Sequence, residues 1–490
     1  MMEAERQQFH FSWPLFQLVS LVKGSVFVIF YLFILKAGSN SAFILALKGL
    51  FIAFLVFSVI KIFLNWIYNR YEISETTVTL YLGIFVKNQR NVELKRIQNV
   101  QQTTNFLHRL LKLTSLTLET GTAGEEAAVK FPVLSHAEAD RIKGLVEEAK
   151  RVHAEPLKSI ADEEGPVPSP PLPERQIYFT AGMKDLVKAA FTSLSMFAIF
   201  PILFSLYFQF DDFFNLDETS QSVFAFFASR LWLLVPVFLA ALLLSAIIGF
   251  ITTYSKYGKF VISADENRIY IRKGVFTETQ FSIRKDKVQA VKIEQPVLKR
   301  LLGMAEVKLI SAGSVGNDDN EINSLFPFLP ANEAYRLVEE LLPQYEISSS
   351  MHALPKSALW IRLLRPYYFW IAATIALAVF KMEWLWLSAP LFVIFIVARL
   401  LEYRYTRYRL TERFIQIRTG AFSATTLLTK RVKVQEIEVT HSWLQRKFGA
   451  SSLHFHIRSK PLLATELKDV PRETGAQFYH WFKDRTHFVK

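Results

Sequence analysis

Three copies of one pattern run through the chain, and they restrict its fold more than any local propensity does. Gly83, Gly274 and Gly420 open the short sequences GIF, GVF and GAF. Thirteen residues after each glycine stand Arg96, Lys287 and Lys433, and two residues further come Gln98, Gln289 and Gln435. Eleven residues beyond each glutamine are Arg109, Arg300 and Arg446, and eighteen beyond are Leu116, Val307 and Leu453. Four fixed offsets held in three copies without a gap identify an internal repeat, so the chain is expected to fold as three versions of one unit.

Each unit has the same order. A basic and aromatic segment (NRYEI, GKFVI, TRYRL) leads into alternating runs (TVTLYLG, RIYIRKG, FIQIRTG), the period of half-buried strands. The glycine falls where a hairpin turn requires one. After the glutamine strand come a short helical patch (FLHRLLKL, VLKRLLGM, WLQRKFGA) and a pair of strands. SHAEADRIKGLVEEAK, ANEAYRLVEELL and RETGAQFYHWFKD then read as closing helices, with Ser135 and Asn332 as N-caps. A small antiparallel β domain closed by one C-terminal helix is predicted.

A pair of apolar runs precedes each unit: 17–36 with 43–66, 186–209 with 228–251, and 366–380 with 384–401. Hydrophobic residues make up 51% of the chain, including 44 phenylalanines. Mean hydropathy is +0.21. A bilayer core needs about 20 apolar residues per helix, so each pair reads as a transmembrane hairpin, the third being the shortest. A second span follows the first run directly and no small-residue cleavage site separates them, which argues against a signal peptide. Basic residues gather after the hairpins, at Arg70, Lys256, Lys259, Arg404 and Arg407, while the 211–218 connection carries Asp211, Asp212, Asp217 and Glu218 without Lys or Arg. The positive-inside rule places both termini and the three soluble units in the cytoplasm. Arg362 and Arg365 are expected at the headgroups where the third hairpin begins.

These residues resemble the YdbT-like bacterial membrane proteins, which carry repeated type-2 bacterial pleckstrin-homology-like (PH-like) domains, once a domain of unknown function. The resemblance rests on the hairpin before each unit, the GIF/GVF/GAF turn and the RIQ/KVQ/KVQ strand with its downstream arginine, and it covers nearly the whole chain. It implies a mixed membrane protein: six transmembrane helices in three hairpins, each followed by a partly open PH-like β-barrel of about seven strands with a C-terminal helix. The expected boundaries are 1–66 for the first hairpin, 67–153 for PH-like domain 1, and 154–180 for a proline-rich linker. Then come 181–253 for the second hairpin, 254–345 for domain 2, 358–401 for the third hairpin and 402–490 for domain 3. The resemblance also implies a smaller single-domain membrane companion as partner, and no catalytic role.

Two readings of the repeated motif stand side by side. In the structural one, Ile97, Val288 and Val434 face a core and Gln98, Gln289 and Gln435 hold a neighbouring loop. In the other, Arg96, Lys287, Lys433, Arg109, Arg300 and Arg446 contact lipid phosphate or an acidic partner. Residues 402–490 hold 17 Lys and Arg against 8 Asp and Glu, a net of +9, and Arg431 joins the candidate contacts there. A basic face near headgroups gains roughly 1 kcal/mol per charge.

Chemistry is poorly represented. The chain has no cysteine, which excludes disulfides, thiolate metal sites and cysteine nucleophiles. No phosphate-binding loop, H-E-x-x-H or G-x-S-x-G occurs. His454 and His456 share a strand face in HFHIR, but no third ligand accompanies them. No cofactor is expected, and no aromatic platform accompanies the basic residues as nucleic-acid binding would need. Lys23, Lys48 and Lys61 lie inside the first hairpin, where charge is costly unless it snorkels or marks a pathway. A non-enzymatic membrane scaffold is therefore expected, with assembly and anionic-lipid contact as its roles and homo-oligomers as one form. A transport or channel component is the alternative.

Overall fold

The computed structural model describes residues 6–39, 41–84, 86–120, 128–154, 175–192, 234–311, 324–348, 350–459 and 462–484. The acidic 211–218 connection, most of the proline-rich linker and most of the first run of the second hairpin lie outside the described residues.

The described strands follow one order in all three repeats. The first has β1 (Gln7–Gln8), α1 (Trp13–Ile29), α2 (Ala42–Tyr68), β2 (Arg70–Ile73), β3 (Thr77–Leu82), β4 (Asn88–Glu93), β5 (Ile97–Thr104), α3 (Phe106–Leu110), β6 (Leu113–Thr120), β7 (Ala128–Ser135) and α4 (His136–Ala154). The second has β8 (Gln176–Thr180), α5 (Met183–Thr192), α6 (Leu234–Tyr257), β9 (Val261–Ala264), β10 (Arg268–Lys273), β11 (Glu278–Arg284), β12 (Val288–Gln295), α7 (Val297–Leu301), β13 (Met304–Ser311), β14 (Ser324–Pro330) and α8 (Ala331–Leu341). The third has β15 (His352–Ala353), α9 (Lys356–Leu364), α10 (Tyr368–Phe380), α11 (Ser388–Tyr405), β16 (Arg407–Leu410), β17 (Phe414–Thr419), β18 (Ala424–Lys430), β19 (Val434–Thr440), α12 (Trp443–Phe448), β20 (Ala450–Ile457), β21 (Leu463–Pro471) and α13 (Arg472–Lys483).

Among the described residues, four helical stretches are long and apolar enough to cross a membrane: Trp13–Ile34 (22 residues), Ala42–Tyr68 (27 residues), Lys356–Phe380 (25 residues) and Met382–Tyr405 (24 residues). Their apolar side chains face outward; Phe57 is 66% exposed and Phe369 70%. Such a surface is stable only against lipid or another chain. The third stretch is interrupted. Arg365, before Pro366, is extended, because the proline ring disfavours helical backbone one residue earlier. So α9 ends at Leu364 and buries Ala358 and Ile361, and apolar α10 begins afresh at Tyr368.

One element of each repeat escapes the sequence pattern. A strand precedes the apolar helices: β1 pairs with β2, Gln7 opposite Tyr71 and Gln8 opposite Arg70. β15 pairs likewise with β16, His352 opposite Tyr408. In the first and third repeats the apolar helices are thus inserted between two neighbouring strands of one sheet. Phe9 and Trp13, just after β1, complete a core with Tyr71 and Phe131. Of the two expected caps, Ser135 accepts a hydrogen bond from the Glu138 N–H at 3.2 Å. Asn332 instead sits inside the first turn of α8, which Pro330 precedes.

The chain divides into two compact units, Met1–Glu174 with Ser193–Val261 and Tyr270–Ser282, and Arg175–Thr192 with Ile262–Ile269 and Ile283–Lys490. The first holds a sheet β1-β2-β3-β4 and a second sheet containing β7-β6-β5-β11-β10. The second holds a sheet ordered β14-β13-β12-β18-β17-β16-β15 and a three-stranded sheet β19-β20-β21. These sheets are open; among the described residues none closes into a barrel. The physical reason is strand sharing. The backbone leaves β4 through a short 3-10 turn, Leu94–Arg96, and β5 then pairs on one side with β6 and on the other with β11 of the next repeat. β12 does the same with β13 and β18. A seam that would close within one repeat is spent on its neighbour.

Candidate interface site at the repeat joints

The repeated glycine is a backbone requirement. Gly83, Gly274 and Gly420 have φ of +106°, +97° and +137°. A Cβ at each would lie 2.0 Å from the carbonyl oxygen of Val86, Thr277 or Ser423. Only glycine accepts both conditions.

The repeated glutamine marks a β-bulge. Ile97 faces Thr120 and Asn99 faces Glu119, so Gln98 has no opposite residue. The same skip occurs at Gln289, between Val288 and Ala290, and at Gln435, between Val434 and Glu436. A bulge adds one residue and sharpens the local twist, which suits a strand that has just left one sheet for another. The preceding residues Ile97, Val288 and Val434 are each 1% exposed. The glutamine side chains differ: Gln289 is buried and donates to the Lys287 carbonyl at 2.9 Å, whereas Gln435 is exposed.

The repeated arginine reaches the next repeat. Arg109 lies 3.8 Å from the carboxylate of Glu278, the first residue of β11. Burial opposes ionisation of Glu278, but hydrogen bonds from Arg272 and Gln280 and the charges of Arg272 and Arg109 outweigh it and hold this carboxyl below the usual glutamate range. Arg300 donates to the carbonyl oxygens of Ala421 at 2.7 Å and Phe422 at 3.2 Å, in the turn that Gly420 opens. Its guanidinium also stacks 3.9 Å from the Tyr405 ring centroid. Arg446, the third copy, is exposed on α12.

The basic residue before each bulge takes a different path. Arg96 is exposed and pairs with Glu93 at 3.0 Å. Lys287 lies 3.9 Å from Asp286. Lys433 donates to the Asp286 carbonyl at 3.1 Å and Lys430 to Gln344 at 2.6 Å, so both reach from repeat three into repeat two. Burial, and then the charge of Lys287, lower the Lys433 ammonium from its ordinary value; burial, and then Lys433, lower Lys430. This joint is a partly desolvated cationic cluster. Arg431 turns inward: it is 8% exposed and its guanidinium sits 5.5 Å from the Trp481 ring centroid.

A second polar centre has no signature in the repeat. Asp469 is fully buried at φ +66°. It accepts hydrogen bonds from Arg362 at 3.1 Å, Arg365 at 2.6 Å and Gln445 at 2.9 Å. Arg362 is therefore 2% exposed, enclosed by protein groups and not presented to headgroups as expected from the sequence. Gln445 belongs to a capping box with Ser442, so the start of α12 is tied to the root of the third hairpin. Arg365, Arg399, Lys468 and Glu466 line a cleft of about 570 Å³ beside these groups. Residues 104 and 107 positions apart make these pairs, which no periodicity in the sequence announces.

Among the described residues, no group of three His, Asp or Glu could hold a metal ion. His454 contacts Thr440 at 3.0 Å and Glu466 at 3.6 Å across its sheet.

A family model described as bacterial PH domain matches residues 27–150, 221–345 and 359–486. The chain is 24% identical over 470 residues to the UPF0699 transmembrane protein YdbT of Bacillus subtilis (strain 168), covering 95% of this chain and 94% of that protein. No solved structure matches.

Proposed function

The chain belongs to the bacterial PH domain family, and on that premise we propose that it is a non-enzymatic, six-helix membrane scaffold whose repeats assemble proteins at the cytoplasmic face of a bacterial membrane. The observation that carries the reading is the use of the repeated arginine. Two of its three copies, Arg109 and Arg300, are spent on holding the following repeat. In these two copies the arginine acts as a clamp between successive repeats of the same chain.

Strand order supports the hairpin layout. β1 and β2 pair across the first pair of apolar helices and β15 and β16 across the third, an arrangement that suits two ends on one side of a bilayer. β8 and β9 are neighbours in one sheet as well, which suits the same arrangement in the second repeat, with the apolar helix α6 as one crossing. With the basic residues that follow each hairpin, the positive-inside rule puts the sheets in the cytoplasm.

Anionic lipid contact is a second role, favoured by Lys287, Lys430 and Lys433. Burial lowers the two latter ammonium groups, with the charge of Lys433 adding to it at Lys430 and that of Lys287 at Lys433, and a bound phosphate would oppose both shifts. A smaller single-domain membrane companion of the same family is the expected protein partner. Envelope maintenance or defence is the setting in which such a scaffold would act. Reconstitution of the full chain in a planar bilayer tests the reading against a transport component. A scaffold gives no protein-dependent ion current; a current that scales with protein would replace it with a channel or transporter.

A further inference from the structure

The two described joints between repeats are copies of each other. In both, the residue six past the motif glutamine faces the residue four past the turn glycine: Thr104 opposite Glu278, and Gln295 opposite Ala424. The residue three past the glutamine faces the residue seven past the glycine: Gln101 opposite Phe281, and Lys292 opposite Leu427. A ladder used twice in one register is a defined interface, with a donor edge (β5, β12) and an acceptor edge (β11, β18).

One edge of each kind remains. β4 ends its sheet beyond β3, and β19 ends its sheet beyond β20, among the described residues. Their exposure differs from that of their counterparts. Ala290 and Val291 on β12 are 0% and 1% exposed, while the equivalent Glu436 on β19 is exposed and Ile437 is half-buried. Leu427 and Leu428 on β18 are buried, while Asn91 on β4, equivalent to Leu428, is exposed. Unpaired strand edges are templates for another strand unless blocked. Neither β4 nor β19 contains a proline.

We propose that β19 of one chain pairs antiparallel with β4 of a second copy, in the register of the two internal joints, and so links copies head to tail. That register sets Ile437 opposite Asn91 and Glu438 opposite Arg90, an opposite-charge pair in which the Arg90 guanidinium also donates to the Ala128 carbonyl of its own repeat at 2.9 Å. It brings Arg446 to the turn opened by Gly83, as Arg300 comes to the turn opened by Gly420. The interface is heterologous, joining unlike edges, so successive copies make a ring if the rotation closes and an open filament if it does not. The proposal deepens the assembly role and rests on it, and names a second copy as the partner.

The absence of cysteine makes the test direct. Full-length Ile437→Cys and Asn91→Cys chains, separately tagged, are mixed in lipid nanodiscs or membranes and treated with a short thiol–thiol cross-linker. The expected result is a covalent dimer in the mixture carrying both tags, absent when Ile437→Cys is mixed with Glu75→Cys, which lies off the β4 edge. Glu438→Lys should lower the association by about two- to tenfold by facing Arg90 with a like charge. A folded chain that stays monomeric and forms no mixed dimer overturns the pairing, leaving assembly with a different protein intact. Cross-linking of Ile437→Cys to itself alone would join like edges and overturn it equally.

Discussion

Arg362 and Asp469 stand 107 residues apart in the chain and meet at 3.1 Å, with side chains 2% and 0% exposed. The contact fastens α9 to β21, the last strand of the third repeat. Breaking a buried ion pair from one side leaves an uncompensated charge, at a cost of about 3–5 kcal/mol. Asp469→Ala should therefore lower thermal stability in detergent sharply, because it removes an acceptor from Arg362, Arg365 and Gln445 together, although Arg362 keeps Thr406 and Glu402 and Gln445 keeps Ser452. Loss of no more than the effect of an average surface substitution would show that water satisfies these groups.

The turn glycines give a second expectation. Alanine at Gly83, Gly274 or Gly420 would need a positive φ and place its Cβ 2.0 Å from a carbonyl oxygen. Each substitution should cost about 1–3 kcal/mol, read as a fall in melting temperature. Gly303, also at positive φ but with no atom near its Cβ, should cost less.

Arg300→Ala removes two hydrogen bonds to carbonyls and a ring contact. About 1.5–3 kcal/mol is expected, since bonds from a charged donor are the stronger kind. Arg300→Lys should recover only part of it, because a lysine lacks the planar fork that spans Ala421 and Phe422. Chemical denaturation of the two variants separates these outcomes.

Acid should loosen the first joint. The folded-state value of Glu278 lies below the ordinary 4.5, so its contribution is present above that value and fades as pH falls through the folded one. Amide exchange in β5 and β11, relative to the intrinsic rate at each pH, should rise below about pH 4.5, the ordinary glutamate range. Glu278→Gln should flatten that rise.

Topology can be read with single cysteines, since none occurs naturally. Ser41→Cys lies between α1 and α2, and Glu75→Cys follows β2. A membrane-impermeant thiol reagent added to spheroplasts should label the first and not the second. Labelling of both from one side would remove the hairpin.

The repeat, the first and third apolar pairs and the closing helices were legible because each recurs at a fixed spacing or with a clear period. β1 and β15 were not: two residues are too few to show alternation, and β1 and β15 (QQ, HA) have no strand preference of their own. Strand sharing was also invisible, because an edge carries no mark of whether its partner lies in the same repeat or the next. The motif glutamine was visible as a recurrence, but its role is a backbone count that side-chain identity does not reveal. For Arg431 the pattern showed charge without direction, and only the position of Trp481 explains why it faces inward.

Shared sheets separate the unit of sequence from the unit of cooperativity. Six residue pairs join β12 to β18, so a cut between the second and third repeats would expose both edges at once. Melting of β16–β18 would strip the cover from β12 in the preceding repeat, and the two should unfold in one transition. A fragment trimmed to the repeat boundary, such as 402–490, would then report the behaviour of a torn seam and not that of the domain in its chain.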